Sequence, residues 1–460
     1  MRSLSATLLA AQTASSRIPY FDLKFYRGES LIADYSCSGS PTDNTARLRY
    51  LKLHEFAYGS GIDEGNTSDV TTIILNDYDR TVPDLRGCSV DIEIGDVTDE
   101  GNESSEYPRM WVYRQYEISA PSTTLTQLTL IGWADMLSIE HARADNTITN
   151  PSLTYLWNKT HTPYQIMSAI LHADVSYIPF TLDALTVDDG IIDTFLPYFI
   201  LNPERGKYEK KLPVLARLSY MTMCYMKPLA DNHIKIVYPQ EGDAADLTIY
   251  SDVAPWFYEF TEIENETIPN SIWVFCDNTN MDTTNYSWPS MKTGIAYDAD
   301  SYSRLGDYIR AHYQAPTITD QTDADNRAAA ILARIKSERL SQALVIPHHC
   351  GIELYDHLLV KDKRGRSAYS DHKVRVTGLT HLYSRDKGIF RLSIYGSGLA
   401  NFPMYSEEEA ITIAEPEITP PEILGDPSIP QYEPPDYPQL SETPIETDPK
   451  PTYPNPMIHP

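Results

Sequence analysis

Hydrophobic and polar residues alternate with a period of two through most of residues 20–133, a pattern typical of half-buried β-strands. Polar loops separate the alternating segments, and the strongly acidic segment 98–106 is predicted to be an exposed loop. A helix is predicted over 134–141. The sequence therefore predicts an N-terminal β-barrel domain over residues 1–149, with a short docking helix at its start. The six predicted strands span residues 21–27, 47–56, 70–76, 89–95, 110–118 and 125–132.

Between residues 150 and 240 the spacing changes to that of helices mixed with short strands. Thr162 is a good N-cap and Pro163 suits the first helical position, so a helix is predicted to begin there. A second helix is predicted over 212–220, and a hairpin with its turn at residues 231 and 232 follows it. This middle region is therefore expected to be α+β.

Strands return over 241–405, where a second β-barrel domain is predicted. Its longest helix is predicted over 322–340, with Thr322 as the N-cap and an apolar stripe at helical spacing. Strands are predicted over 343–346, 374–379 and 390–394, and Gly388 is suited to the turn before the last of them. The stripe of the helix consists of Ala328, Ile331, Leu332 and Ile335.

The segment 406–460 has a different composition from the rest of the chain. Fourteen of the 33 prolines follow Glu415, and residues 407–460 contain twelve carboxylate residues and one lysine. Such a segment cannot bury a core, so an extended arm with polyproline II character is predicted. The two interpretations are a disordered linker and an arm that binds a partner, and the partner-bound arm is favoured.

Overall composition limits the possible functions. The net charge of −27 and the pI of about 4.7 argue against a general nucleic-acid binder, which needs a basic surface. An acidic surface is compatible with DNA that passes nearby without adhering. No apolar run approaches the roughly 18 residues of a membrane-spanning helix. The 32 tyrosines indicate either subunit interfaces or a β-rich fold, since tyrosine suits both.

The five cysteines lie far apart and match neither a disulfide framework nor a zinc site, so free thiols formed in a reducing cytoplasm are expected. They are Cys37, Cys88, Cys224, Cys276 and Cys350. The first 16 residues imitate a secretory signal, because Arg2 precedes a short apolar stretch. That stretch is weakly hydrophobic, and Leu4, Leu8 and Ala11 fit one helical face. A signal peptide stays open here, and a short docking helix is the favoured interpretation.

The strongest candidate for chemistry is His348-His349-Cys350 with Glu353, which could be drawn as a metal cluster. Adjacent residues of an extended chain point to opposite sides, so the two histidines would not share one metal ion. A polar turn between strands is therefore favoured. Segment 277–282 resembles a calcium loop only in composition, and no nucleotide-binding or hydrolase motif is present. The sequence predicts no catalytic, cofactor-binding or metal-binding residue and a protein that is not an enzyme.

Three segments in order carry a resemblance to a known family. They are the stretch GWADML at 132–137, the helix and hairpin at 215–239, and the helix and strands of 322–398. The last of these contains Pro347-His348, followed by Glu353-Leu354 and Asp356. Together they resemble the tail hub, or baseplate hub, proteins of tailed bacteriophages over roughly residues 1–400. The acidic, proline-rich C-terminal segment departs from that family's pattern.

The resemblance implies a mainly β fold with two tail-tube-like β-barrels, a middle α+β region and an extended arm. It implies a homotrimer that links the six-fold tail tube to the tail tip around an acidic DNA channel, without sequence-specific DNA binding. The implied partners are a tail tube or distal tail protein, a tape-measure protein and peripheral baseplate or fibre proteins. The implied location is the virion tail tip, after synthesis in the host cytoplasm. A tail-tip peptidoglycan hydrolase and a receptor-binding or carbohydrate-binding protein stay open as alternatives.

Overall fold

The computed structural model describes most of the first 397 residues. The predicted arm over 406–460, the segment 277–282 and the side chain of Cys276 lie outside the described part. The description omits, within residues 1–397, positions 15, 40–45, 58–68, 121–122, 143–154, 172–179, 187–191, 194–195, 202–207, 221, 223, 240–242, 265–267, 277–291, 316–320 and 339.

The fold is mainly β, as the sequence predicts. The strands of the N-terminal part are β1 Pro19–Arg27, β2 Ser30–Asp34, β3 Cys37–Ser38, β4 Leu48–Phe56, β5 Thr71–Asn76, β6 Ser89–Thr98, β7 Gly101–Glu106, β8 Met110–Ala120 and β9 Thr123–Ile131. Those of the middle part are β10 Tyr155–Asn158, β11 Thr181–Leu182, β12 Tyr198–Leu201, β13 Tyr225–Pro228 and β14 His233–Val237. The remaining strands are β15 Leu247–Tyr250, β16 Glu259–Glu264, β17 Ser271–Cys276, β18 Lys292–Tyr297, β19 Arg310–Ala315, β20 Leu340–Pro347, β21 His357–Asp362, β22 Ser370–Ser384 and β23 Ile389–Ser397.

Six α-helices lie in the described part of the chain. They are α1 Ala6–Thr13, α2 Trp133–Ile139, α3 Pro163–Leu171, α4 Lys211–Tyr220, α5 Ala299–Leu305 and α6 Gln321–Glu338. The start of α3 is built as its sequence predicts. The Thr162 hydroxyl accepts a hydrogen bond from the backbone N–H of Gln165, and the Gln165 side chain accepts one from the N–H of Thr162, which forms a capping box.

One sheet of 15 strands dominates the molecule. Hydrogen-bonded neighbours follow the order β16-β20-β23-β22-β4-β5-β9-β8-β6-β1-β2, and β3, β7, β15 and β21 attach beside this path. All of its pairings are antiparallel except the parallel pairing of β15 with β21. Strands β1 to β9 are called the first β region below. Strands β15, β16 and β20 to β23 are called the second β region.

All six strands predicted in the first β region are present, and alternate residues of each point into a common core. Phe21, Leu51, Ile73 and Leu128 are among its fully buried members. The loop predicted over 98–106 is wrong, although most of its residues are exposed as predicted. Strand β6 continues to Thr98 and β7 pairs back along it, with Gly101 at a positive φ of 125° and Ser105 buried.

The second β region has its own apolar core, which includes Leu344, Ile346, Val374 and Ile394. The turn before β23 is the one predicted, since Gly388 has a φ of 60° and donates its N–H to the Arg385 carbonyl. The predicted strand over 374–379 is part of the much longer β22.

Strands β4 and β22 join the two β regions directly. Seven residue pairs connect them, from Phe56 with Gly378 to Tyr50 with Ser384. Gly378 is needed there because a Cβ at this position would lie 2.9 Å from the ring of Phe56. The Nδ1 of His54 and the Thr380 hydroxyl form a hydrogen bond of 2.8 Å across the same pair of strands. The sheet therefore runs without interruption from one core to the other.

Helix α6 covers a separate sheet of three strands, ordered β18-β17-β19. All four residues of its predicted apolar stripe are buried, and Ala328, Ile331 and Ile335 share a core with Ile272 and Val274 of β17. The N-cap prediction is wrong, because the helix begins at Gln321 and Thr322 lies inside its first turn.

Candidate functional site at the junction of the β regions

The N-terminal segment, residues 1–17, lies where the two β regions meet. Its helix α1 is capped by Ser5, whose hydroxyl accepts the N–H of Leu8 at 2.9 Å. The helix packs against β6, and Leu8 is buried there. The side chain of Leu4 lies beside Gly351, where an added Cβ would approach it to 2.8 Å. The segment is thus anchored to both β regions by apolar contacts.

Arg2 carries the densest set of polar contacts in this segment. Its guanidinium lies 3.0 Å from the Glu55 carboxylate of β4 and donates to the carbonyls of Cys350 and Ile352. Its carbon also lies 4.1 Å from the ring centroid of Tyr107, in cation–π geometry. Burial lowers the pKa of Arg2, but the nearby negative charges outweigh this effect and raise it above its ordinary value. Arg2 is therefore a buried cation that contacts both β regions.

Glu55 is the acceptor at the centre of the junction. Burial favours its neutral form, but the charge of Arg2 and the hydrogen bond from His381 outweigh burial and lower its pKa. The Nε2 of His381 lies 2.9 Å from the second oxygen of Glu55. An ionised carboxylate only accepts hydrogen bonds, so His381 must carry its proton on Nε2. One strand of each β region thus supplies one member of this pair.

His348 extends the chain of hydrogen bonds from Glu55. Its Nε2 lies 2.9 Å from the Nδ1 of His381, and its ring stacks on Phe390 at a centroid distance of 4.2 Å. With the His381 proton on Nε2, Nδ1 is an acceptor and His348 donates to it. Burial lowers the pKa of both histidines, most strongly for His348. The arrangement holds two neutral imidazoles and one carboxylate away from water.

A second ionic contact forms at the other end of α1. Arg17 makes a two-pronged ion pair with Asp96 of β6, with N–O distances of 3.1 and 2.5 Å. Arg17 also donates to the carbonyl of His348, and Gln12 joins Asp96 to the backbone N–H of Cys350. Burial raises the pKa of Asp96 despite this pairing with Arg17.

The middle part of the chain reaches the same junction through Lys227 of β13. Its ammonium lies 3.0 Å from Glu353, and the hydroxyl of Tyr355 donates to the carbonyl of Met226 at 3.3 Å. Glu353 also lies 3.6 Å from Arg2. Three parts of the fold therefore share one network of charges.

Asp69 lies beside the network, just before β5. It is buried, accepts the N–H of Phe56 at 3.1 Å and packs so closely against Gly132 that a Cβ there would lie 2.5 Å from the Asp69 Cβ. Burial, with smaller contributions from Glu55 and Asp135, raises the pKa of Asp69 to about 8. At neutral pH the carboxyl group is therefore mostly protonated.

The structure places the residues of the candidate cluster in different contacts. His348, His349 and Cys350 are buried between β20 and β21, in the turn that the sequence predicts. His349 uses its Nδ1 to accept the N–H of Gly351 at 3.3 Å, whereas His348 is directed at His381. In the described residues, no group of three or more histidine, cysteine or acidic side chains is placed to hold a metal ion. Four cysteines, Cys37, Cys88, Cys224 and Cys350, are buried, as expected.

Sequence interpretation missed Arg2, Glu55 and His381 as members of one site. The sequence nevertheless contains an indication of this site, namely polar residues at inward positions of two strands. Glu55 continues the inward positions of Leu51 and Leu53 on β4, so its charge falls where an apolar residue is expected. His381 occupies an inward position of β22 in the same way. A polar residue at an inward position must have a buried partner, but the partner lies more than 300 residues away.

This fold occurs in known tail proteins. The chain is similar to the tail protein from Neisseria meningitidis MC58, with a TM-score of 0.57 and 10% identity, over 84% of this chain and 99% of that one. It is also similar to the 43 kDa tail protein of prophage MuSo2 from Shewanella oneidensis, with a TM-score of 0.55 and 11% identity, over 82% and 98%. No protein-family model matches the sequence, and no curated protein matches it.

The molecule therefore has the fold of phage tail proteins, and the resemblance predicted from the sequence is confirmed at the level of the fold. The structural match includes almost the whole length of both tail proteins. Within the described residues, none of the helices combines the length and apolarity that a membrane crossing requires.

Proposed function

We propose that this protein is a structural tail or baseplate hub of a phage-type virion and acts as a homotrimer. The observation that carries the proposal is the similarity of fold to two tail proteins over nearly their entire lengths. A single sheet joins two β regions with separate cores in the same chain. Three such chains would present six β regions, which is the number needed to meet a six-fold tube.

In this proposal the two β regions correspond to two tail-tube-like barrels, and the part between them forms a middle α+β domain. The proposed domain limits are 1–149, 150–240, 241–405 and 406–460. The buried ion pairs of Arg2 and Arg17 support a fixed orientation of the two β regions. A ring requires this, because the angle between the two β regions must be the same in every copy. The role is a mechanical one and needs no catalytic group.

The proposed partners are the tail tube or distal tail protein, the tape-measure protein and peripheral baseplate or fibre proteins. The arm over 406–460 would bind one of these neighbours. The net charge of −27 supports an acidic central channel through which DNA passes without sequence-specific binding. The proposed location is the tail tip of the virion, with synthesis in the host cytoplasm.

Light scattering coupled to size exclusion tests the trimer directly. The expected mass is three times the 52.0 kDa of one chain, and negative-stain images of the same peak should show rings with six peripheral densities. A protein that stays monomeric at high concentration and does not assemble with tube or distal-tail partners would overturn the proposal. A peptidoglycan zymogram of the purified protein should show no clearing, and clearing would favour the hydrolase alternative instead.

A further inference from the structure

The strand path of the main sheet ends in two edges that lie on different β regions. Strand β2 pairs only with β1 at one end, and β16 pairs only with β20 at the other, among the residues that the structure describes. An edge strand offers a row of backbone N–H and C=O groups that another strand can pair with. The two ends of one sheet are therefore two potential docking edges.

Both edges expose large apolar side chains. On β2, Leu31 is 52% exposed and Ile32 is 37% exposed. On β16, Ile263 is 56% exposed, and Tyr258 just before the strand is equally exposed. Neither strand contains proline or lysine, which commonly protect an edge from pairing, whereas the three glutamates of β16 place a negative charge at its edge. Apolar groups at both edges favour contact with another strand over contact with water.

The chain already contains one edge-to-edge joint of this type. Strands β4 and β22 belong to different β regions and pair along seven residue positions. Aromatic contacts flank this joint, because Phe56 and Tyr395 stack over Gly378 at a centroid distance of 6.3 Å. A first and a second β region thus associate by extending one sheet, which supplies a template for contacts between copies.

We propose that β2 of one copy pairs with β16 of a second copy of this chain, so that the sheet continues from one copy to the next. This inference rests on the proposed function and names the surfaces that would form the oligomer. Two different edges make a head-to-tail contact, and such contacts close into a ring when the rotation between copies permits. Leu31 and Ile263 are the apolar side chains that the contact would shield from water.

The charges at these edges make the contact sensitive to salt. Asp34 lies on β2 and Glu259 lies on β16, and both side chains are exposed. Like charges brought within a Debye length repel, and salt screens this repulsion. Self-association through these edges should therefore strengthen as the NaCl concentration rises, whereas an interface dominated by ion pairs would weaken.

Charge substitution at each edge tests the proposal in the full chain. Leu31→Glu and Ile263→Glu should each weaken self-association at least tenfold in sedimentation velocity, because each places a further negative charge against an acidic opposing strand. Ile139→Glu is the matched control, since Ile139 ends helix α2 and is 57% exposed, and it should leave association unchanged. Far-UV circular dichroism spectra should be the same for all three variants, because each side chain is exposed and the fold of one copy does not depend on it.

Disulfide cross-linking identifies which edges meet. Leu31→Cys protein mixed with Ile263→Cys protein should give cross-linked dimers after mild oxidation, and each variant alone should give far less. Cross-linking of Leu31→Cys with itself would indicate a symmetric β2 contact and overturn the head-to-tail pairing. A trimer that survives both edge glutamate substitutions would overturn the edge contact but leave the proposed hub function standing. A wild-type monomer would overturn both.

Discussion

Asp69 gives the sharpest test of the electrostatics at the junction, through the substitution Asp69→Asn. The side chain is buried, its pKa is raised from 3.8 to about 8, and it accepts the N–H of Phe56. Asparagine has nearly the same shape and keeps the accepting oxygen, but it has no proton to lose. The substitution therefore removes the titration while it keeps the contact.

The magnitude follows from the two pKa values. In the unfolded chain the carboxyl ionises above pH 3.8, whereas in the folded protein it stays protonated until about pH 8. The folded state binds the extra proton between these values, so the free energy of unfolding falls as pH rises, by about 1.4 kcal/mol per unit. At pH 7 the loss amounts to about 4 kcal/mol, as an upper bound that relaxation of the site reduces.

Urea unfolding of wild type and Asp69→Asn at pH values from 5 to 8 measures this difference. We expect the variant to be the more stable protein at pH 7, with an advantage that grows as pH rises. Asp99→Asn serves as the control, because its exposed side chain in the turn between β6 and β7 stays in water in both states. Parallel profiles of wild type and Asp69→Asn would refute a raised pKa.

Three further predictions concern packing and charge. Arg2→Ala should lower the free energy of unfolding by about 3–5 kcal/mol in urea, because it leaves Glu55 buried without its cation, and Glu55→Gln should recover part of the loss. Below pH 6.5 the unfolded chain protonates His348, whereas burial keeps this imidazole neutral in the folded protein, so the melting temperature of His348→Asn should rise relative to that of wild type as pH is lowered from 6.5 to 5. Gly294→Ala should cost about 1–3 kcal/mol in thermal unfolding, because its Cβ would lie 1.9 Å from the Ala324 carbonyl, whereas Thr293→Ala should cost less.

Local patterns predicted the strands that have their own apolar periodicity. Strands β4 and β5 alternate cleanly, and each was predicted to within one residue of its start. Strand β7 was missed because its residues, Gly-Asn-Glu-Ser-Ser-Glu, carry no apolar signal. It forms through backbone pairing with β6, where Gly95 lets the two strands approach closely.

The junction could not be predicted because it depends on contacts between distant parts of the chain. Arg2 contacts Glu55 and the turn after β20, which are separated from it by 53 and about 350 residues. Periodicity shows which side of a strand is buried, but not which other element covers it. The fold class could nevertheless be predicted, because several segments in order resemble a known family, and that resemblance supplied the arrangement of elements that periodicity does not show.

The irregular step in β22 has a consequence for how such proteins can evolve. The register shifts by one residue between Val376 and Gly378. Before this shift the even-numbered residues Val374 and Val376 face inward, and after it the odd-numbered residues His381 and Tyr383 do. Val374 and Val376 belong to the core of the second β region, and Tyr383 belongs to that of the first. Deleting Thr377 would turn His381 and Tyr383 to the opposite face. A crossover inside this strand can therefore exchange the two β regions between relatives only where it leaves the length of β22 unchanged.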